Sequence, residues 1–211
     1  MKVICLVNEK GGSGKSTLSI NLATALHRAG KQVILLDADP QGTARDWRDA
    51  SPADADLPPV LAADRPNTLT SAFAGIHADF VVIDAPAKAE AMSAAIIGKS
   101  DIALIVVQPS AADVWASAAI VKMVQSKRSL GGVIEAAFVV NRATVGRNLT
   151  AEITSGDWNE YGIDQLENFV SDRESFKTSL AKGLSIFDTN DSKAKAEIEL
   201  IIQEIENEKW F

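Results

Sequence analysis

The chain is short of several things. One cysteine, one tyrosine and two histidines stand among 211 residues, and aromatic residues make up 6%. A single cysteine leaves no internal disulfide framework. Cys5 lies inside the apolar run Val3-Ile4-Cys5-Leu6-Val7, where a thiol behaves as a small hydrophobe rather than a nucleophile. So few aromatics leave no row of stacking platforms for single-stranded nucleic acid. Positive charge is also scarce: 21 Lys and Arg face 28 Asp and Glu, a net charge of -7. Nucleic-acid contact would therefore need a local basic patch against an acidic background. No apolar stretch approaches the ~18 residues of a membrane-spanning helix, and the opening apolar run is too short for the core of a secretory signal. The expected compartment is the cytoplasm.

What is present is an alternation of short apolar runs and helical patterns, with no internal repeat and no low-complexity tract. Lys2–Asn8, Gln32–Asp37, Phe80–Asp84, Ile102–Gln108 and Ala136–Asn141 read as strands. Their runs are continuous rather than alternating, as in strands buried on both faces of a parallel sheet. Helices are expected at Ser16–Ala29, Ala89–Gly98, Ala111–Ser126 and Leu166–Lys182. Repeated strand–helix–strand units imply right-handed crossovers, and so an α/β, doubly wound, mostly parallel sheet in one domain over 1–211. Residues 48–69, with four prolines, read as an irregular excursion holding a short strand at Pro59–Ala62. The final segment, Lys193–Phe211, reads as an amphipathic helix with Ile198, Ile201, Ile202 and Ile205 on one face and five glutamates on the other. A membrane-surface helix would carry Lys and Arg there, so packing against the sheet is expected and no membrane partner.

The chemistry lies at strand ends. Lys10-Gly11-Gly12-Ser13-Gly14-Lys15-Ser16-Thr17 follows the first strand and opens the first helix. It fits the phosphate-loop pattern if its first glycine position is relaxed to Lys10. Glycines let consecutive backbone N–H groups converge on phosphate oxygens, and the helix N-terminus adds partial positive charge. Lys15 would reach the β- and γ-phosphates of ATP, and the Ser16 hydroxyl would bind Mg²⁺. Two further apolar strands end in acids: Phe80–Asp84, where Asp84 would hold the Mg²⁺ through water, and Leu35-Leu36-Asp37-Ala38-Asp39.

KGGSGKST, LLDADPQG and FVVIDAPA, in that order and spacing, resemble the ParA/MinD family of deviant Walker A ATPases, nearest to the short ParF-like partition ATPases. The resemblance implies that Lys10 is the signature lysine, crossing a dimer interface to the phosphates of the partner's ATP. It implies that Asp39 positions the attacking water and that Asp37 assists Mg²⁺ or the switch region. Asn141 and the Phe187-Asp188 stretch would wall the adenine. Asp84-Ala85-Pro86-Ala87 departs from the usual continuation after the Walker B acid, and no in-cis arginine finger is evident. Slow ATP hydrolysis, raised by a ParB-like or cargo adaptor, is the expected behaviour.

The same resemblance implies non-specific double-stranded DNA binding by an ATP-bound homodimer, and so association with the nucleoid. Lys122, Lys127, Arg128, Arg142 and Arg147, with Arg173 downstream, are the candidate contacts. The leading expectation is segregation of plasmid or chromosomal DNA. Positioning of a protein cargo such as carboxysomes is the alternative within the family, and a MinD-like membrane-cycling regulator is another. A metabolic P-loop enzyme would not need Lys10, and an iron-protein relative would need bridging cysteines.

Overall fold

The computed structural model describes residues 1–144 and 161–211. Seven parallel strands form one sheet in the order β3-β2-β4-β1-β5-β6-β7. They are β1 (Lys2–Val7), β2 (Val33–Asp37), β3 (Val60–Ala62), β4 (Phe80–Asp84), β5 (Ile102–Val107), β6 (Glu135–Val140) and β7 (Asp164–Gln165). Eight α-helices belong to the described residues: α1 (Lys15–Arg28), α2 (Thr43–Asp49), α3 (Pro66–Gly75), α4 (Glu90–Lys99), α5 (Ala111–Trp115), α6 (Ala118–Ser129), α7 (Glu174–Leu180) and α8 (Ser192–Asn207).

The continuous apolar runs serve two cores at once. Val3, Cys5 and Val7 of β1 face one layer with Ile96, Ile97, Ile120 and Val124. Ile4 and Leu6 face the other with Leu18, Leu22, Ile198, Ile201 and Ile205. This is the period-two alternation of a strand expressed between two buried faces. Each Leu or Ile fully removed from water contributes ~1.5–3 kcal/mol. Burial also pushes the Cys5 thiol up to about 12, in keeping with a packing role.

The structure differs from the sequence reading in four places. Leu166–Lys182 is not one helix: only Glu174–Leu180 is helical. Before it the chain runs extended beside β6, with the Leu166 and Val170 amides donating to the Phe138 and Val140 carbonyls. The outward amides of this edge segment are captured by α8. Glu204 accepts from the backbone of Glu167 (2.6 Å) and Asn168 (3.0 Å), and Glu197 accepts from that of Ser171 (3.0 Å). Those glutamates are edge-strand caps, not a solvated helix face.

Ala111–Ser126 is interrupted at residues 116–117, where the buried Ser117 hydroxyl bonds back to the Asp113 carbonyl at 2.9 Å. Residues 48–69 contain not only β3 but the end of α2 and the start of α3. Pro66 occupies the first turn of α3, where its missing N–H costs nothing, and the Thr68 hydroxyl accepts from the Arg65 amide at 3.0 Å. The last helix ends at Asn207. Lys209 adopts φ 59°, the Trp210 amide returns to the Ile205 carbonyl, and the Phe211 ring meets Phe80 edge-on, with centroids 4.9 Å apart.

Candidate nucleotide site

The C-terminal ends of β1, β2, β4 and β5 converge around the loop from Asn8 to Thr17. Asn8 is buried and spans the loop, donating to the Val106 carbonyl (2.6 Å) and accepting from the Lys10 amide (3.0 Å). Gly14 caps α1 at φ 96°, and a Cβ there would collide with Nδ2 of Asn141. That Nδ2 donates to the Ser13 carbonyl at 2.8 Å, so the loop is tied to the end of β6. Glycine is required by both backbone and space.

The resulting cavity, of about 370 Å³, is lined by Gly11, Gly12, Gly14, Lys15, Ser16 and Thr17 from the loop and by Asp39, Gln41, Thr43, Ala87 and Arg142 around it. Lys15 is 6% exposed and its Nζ donates to the Lys10 carbonyl at 3.3 Å. Burial lowers its pKa, and Asp84 and Asp39 oppose that. A phosphate would favour the charged form of an ammonium held in this way.

Asp84 ends β4 in register with Asp37 of β2 and Leu6 of β1. It is fully buried, and burial pushes its carboxyl up to about 7 despite help from Ser16 and Lys15. Oδ1 accepts from the Ser19 hydroxyl at 3.3 Å. Oδ2 and the Ser13 hydroxyl have no hydrogen-bond partner in the structure. An unpaired buried carboxylate oxygen beside a serine hydroxyl fits a hard divalent cation. Among the described residues no cluster of three or more acidic, His or Cys side chains could hold a metal. A cation here would take Asp84 and Ser16, with phosphate and water oxygens completing its shell, which suits Mg²⁺.

Asp37, the third metal candidate, already accepts hydrogen bonds at both oxygens. Oδ1 accepts from the Asp39 amide (3.1 Å), and Oδ2 accepts from the Arg45 amide (2.9 Å) and Nε (3.3 Å). Its neighbour Asp39 does face the cavity. It is half-buried, with Oδ1 accepting from the Gln41 amide at 2.9 Å.

Lys10 turns away from its own phosphate cavity. Its Nζ forms an ion pair with Asp113 of α5, whose carboxylate is fully buried. Burial alone would raise Asp113, but Lys10, the Ser110 hydroxyl and the Gln108 amide hold it below the usual carboxylate range. Gln108 also donates from Nε2 to the Gly12 carbonyl at 3.0 Å.

The base side holds a correction and an omission. Asn141 stands at the loop, but Phe187 and Asp188 lie at the other end of α1. Asp188 pairs with Arg28 at 2.5 Å and closes a turn onto the Ser185 hydroxyl and amide. Lys15 and Arg28 are the first and last residues of α1, a separation of roughly 20 Å. A cleft of only about 20 Å³, smaller than a nucleobase, adjoins Thr17 and Asn141 and is lined by Arg142, Ser171, Asp172, Arg173, Phe176 and Lys177. Sequence reasoning missed it because that stretch was read as helix.

Among the described residues the basic candidates fall into two places, Arg142 and Arg173 on one cleft and Lys122 and Lys127 on another. Lys127 donates inward to the Ile97 (3.1 Å) and Ser100 (2.6 Å) carbonyls, and Arg128 donates to that of Ile134 (3.1 Å). Arg173 is paired with Glu197 at 2.7 Å. Arg142 lines the phosphate cavity in a left-handed backbone conformation, φ 57°. Lys122 is exposed on α6, and Arg147 lies outside the described residues.

Known proteins are similar to this chain in sequence and in fold. Residues 4–186 match the family model described as the CobQ/CobB/MinD/ParA nucleotide binding domain. The chain is 32% identical over 207 residues to the maintenance of carboxysome distribution protein A of Halothiobacillus neapolitanus, covering 96% of this chain and 95% of that one. The chromosome-partitioning ATPase Soj of Thermus thermophilus is 61% identical, over only 41 residues, 19% of this chain and 16% of its own. Among solved structures, apo McdA of Cyanothece superposes with a TM-score of 0.77 over 97% of this chain and 99% of that one, at 18% identity. The cell division ATPase MinD of Pyrococcus furiosus does so with 0.69 over 97% and 99%, also at 18%. A P-loop with two lysines, an orphaned Walker B acid and a match across most of the chain place this protein in the ParA/MinD nucleotide-binding family.

Proposed function

We propose that this protein is a slow, Mg²⁺-dependent ATPase that positions an intracellular cargo by cycling between monomer and ATP-bound dimer. The observation that carries the reading is the placement of the two loop lysines. Lys15 is buried under the phosphate cavity, while Lys10 points out of it to Asp113. A second cation five residues before the first, not serving its own cavity, suits delivery to a neighbour's phosphates, where negative charge is stabilised during phosphoryl transfer. Bound Mg²⁺ would neutralise phosphate charge at Asp84 and Ser16. In this reading Asp39 orients the attacking water, each subunit completes the other's site, and an adaptor protein speeds turnover.

Lys10→Ala should bind ATP with little change through Lys15, yet lose ATP-dependent dimerisation and hydrolysis. Size exclusion with ATP and a phosphate-release assay check this. Wild-type turnover by the variant would remove Lys10 from its trans role.

A protein cargo of the carboxysome class comes ahead of DNA as the passenger, because the carboxysome-distribution relatives align over nearly the whole chain while the partition ATPase cited aligns over only 41 residues. DNA segregation is the second reading, supported by 61% identity to that partition ATPase over the 41 residues matched. Either passenger is compatible with a dimer that rests on nucleoid DNA as its track. Co-sedimentation with duplex DNA over a salt series should then show ATP-specific, salt-sensitive binding. Equal binding with ATP, with ADP and without nucleotide would eliminate a DNA-based cycle.

A further inference from the structure

Arg45 is the first strongly basic side chain of α2 and was not a candidate in the sequence. It reaches three acceptors on two stretches of chain, Asp37 to Asp39 and Asp64. Nε meets Oδ2 of Asp37 at the end of β2 (3.3 Å), Nη2 meets the Asp39 carbonyl (3.0 Å), and Nη1 meets Oδ2 of Asp64 beyond β3 (3.5 Å). The backbone amide of Arg45 holds Asp37 as well (2.9 Å). Gly42, at φ 73°, passes so close that a Cβ there would sit 3.2 Å from Nη2. The guanidinium thus lies beneath the turn from Asp39 to Gly42, with a buried carboxylate on its other side. The helix that carries it is itself anchored, since Trp47 is buried and donates from Nε1 to the Leu184 carbonyl at 3.0 Å.

We propose that Arg45 is a positioning residue for ATP hydrolysis: its planar fork fastens the Asp39 turn to β2 and to the segment after β3, so that the Asp39 carboxylate keeps one place in the phosphate cavity. The inference rests on the reading that Asp39 orients the attacking water. Ordering a turn costs conformational entropy, and a single guanidinium with three fixed acceptors supplies that order before nucleotide arrives. An ammonium would still neutralise Asp37 but would not span the three acceptors. A small drift of the carboxylate matters, because a misplacement of about 1 Å costs on the order of a hundredfold in rate.

The test is Arg45→Lys in the full chain, with three readouts: fluorescent-ATP binding, steady-state hydrolysis, and hydrogen exchange of the Gln41 and Gly42 amides without nucleotide. Those amides donate to Oδ1 and the carbonyl of Asp39. The expected result is ATP affinity within about twofold of wild type, kcat lower by roughly 10–100-fold, and faster exchange at both amides. Unchanged exchange, unchanged kcat, or a rate loss matched by an equal loss of ATP affinity would overturn the proposal. Asp39→Ala is run alongside. If it hydrolyses ATP normally, the role assigned to Asp39 fails and this inference falls with it. If Asp39→Ala is inactive and Arg45→Lys is normal, only the inference fails. The exchange comparison needs no activity, so it tests the clamp even in a chain without measurable turnover.

Discussion

The phosphate cavity and the seam between α8 and the sheet edge both withdraw carboxylates from water, fully for Asp84 and partly for Glu197 and Glu204, and they treat them in opposite ways. In the seam, Glu204 and Glu197 fill both oxygens with donors. Glu204 takes two backbone amides and the Asn168 side chain, and Glu197 takes Ser171 and Arg173. In the cavity, one oxygen of Asp84 is buried with no partner, as is the Ser13 hydroxyl. A satisfied buried carboxylate stabilises a fold, whereas an unsatisfied one costs stability until a ligand arrives. The contrast separates structural acids from functional ones by hydrogen bonding alone.

Three substitutions would break or sharpen that contrast. The largest effect is expected at Lys15→Ala, which removes the buried ammonium facing the phosphates. ATP affinity should drop more than about a hundredfold, since a charge-assisted contact contributes ~1.5–3 kcal/mol and several phosphate oxygens lose it. Fluorescent-nucleotide titration reads this, and a drop of only a few fold would count against the cavity as the phosphate site.

Next is Asp84→Asn without metal or nucleotide. The folded carboxyl lies at about 7 because of burial, above the ~3.9 of an unfolded chain. The folded state therefore holds its proton over that interval while the unfolded state releases it. Stability at Asp84 is full below about pH 4 and is lost as pH rises through about 7. The asparagine variant should unfold with less pH dependence and be more stable than wild type at pH 8, by at most ~4 kcal/mol. Urea melts at pH 5 and pH 8 check the sign, and Mg²⁺-dependent hydrolysis should be lost in the same variant. A variant less stable than wild type at pH 8 would mean Asp84 is structurally satisfied.

The smallest effect is expected at Glu204→Ala. It strands three donors at the edge strand and should cost ~1–3 kcal/mol in the same melts. Hydrolysis per folded molecule should stay near wild type. Loss of activity at full stability would place the seam in the catalytic cycle and dissolve the distinction.

Much of this was legible before any coordinates. All five long strands appear within two residues of their expected bounds, because two-sided burial writes itself as continuous Val, Ile and Leu. The stretch after β7 was not legible. Leu166–Lys182 reads as one helix in the sequence, but its first part is held extended by pairing with β6 and by glutamates arriving from α8, a contact spanning 36 or 37 residues. Phe187 and Asp188 were misplaced for a related reason. The Ser185–Asp188 capping turn is local and visible, whereas its position at the far end of α1 depends on Arg28, 160 residues away.

The sequence by itself determined the phosphate chemistry, since the loop glycines, Lys10, Lys15 and Ser16 are contiguous and their backbone geometry follows from a strand running into a helix. It determined too that acids end two of the strands. Only the tertiary structure decided which of those acids is open. Asp37 and Asp84 occupy matching register positions, yet Arg45 and backbone amides saturate the first while the second keeps an empty oxygen. Hydrogen-bond satisfaction depends on what the fold brings to an atom, and no spacing in a chain records that.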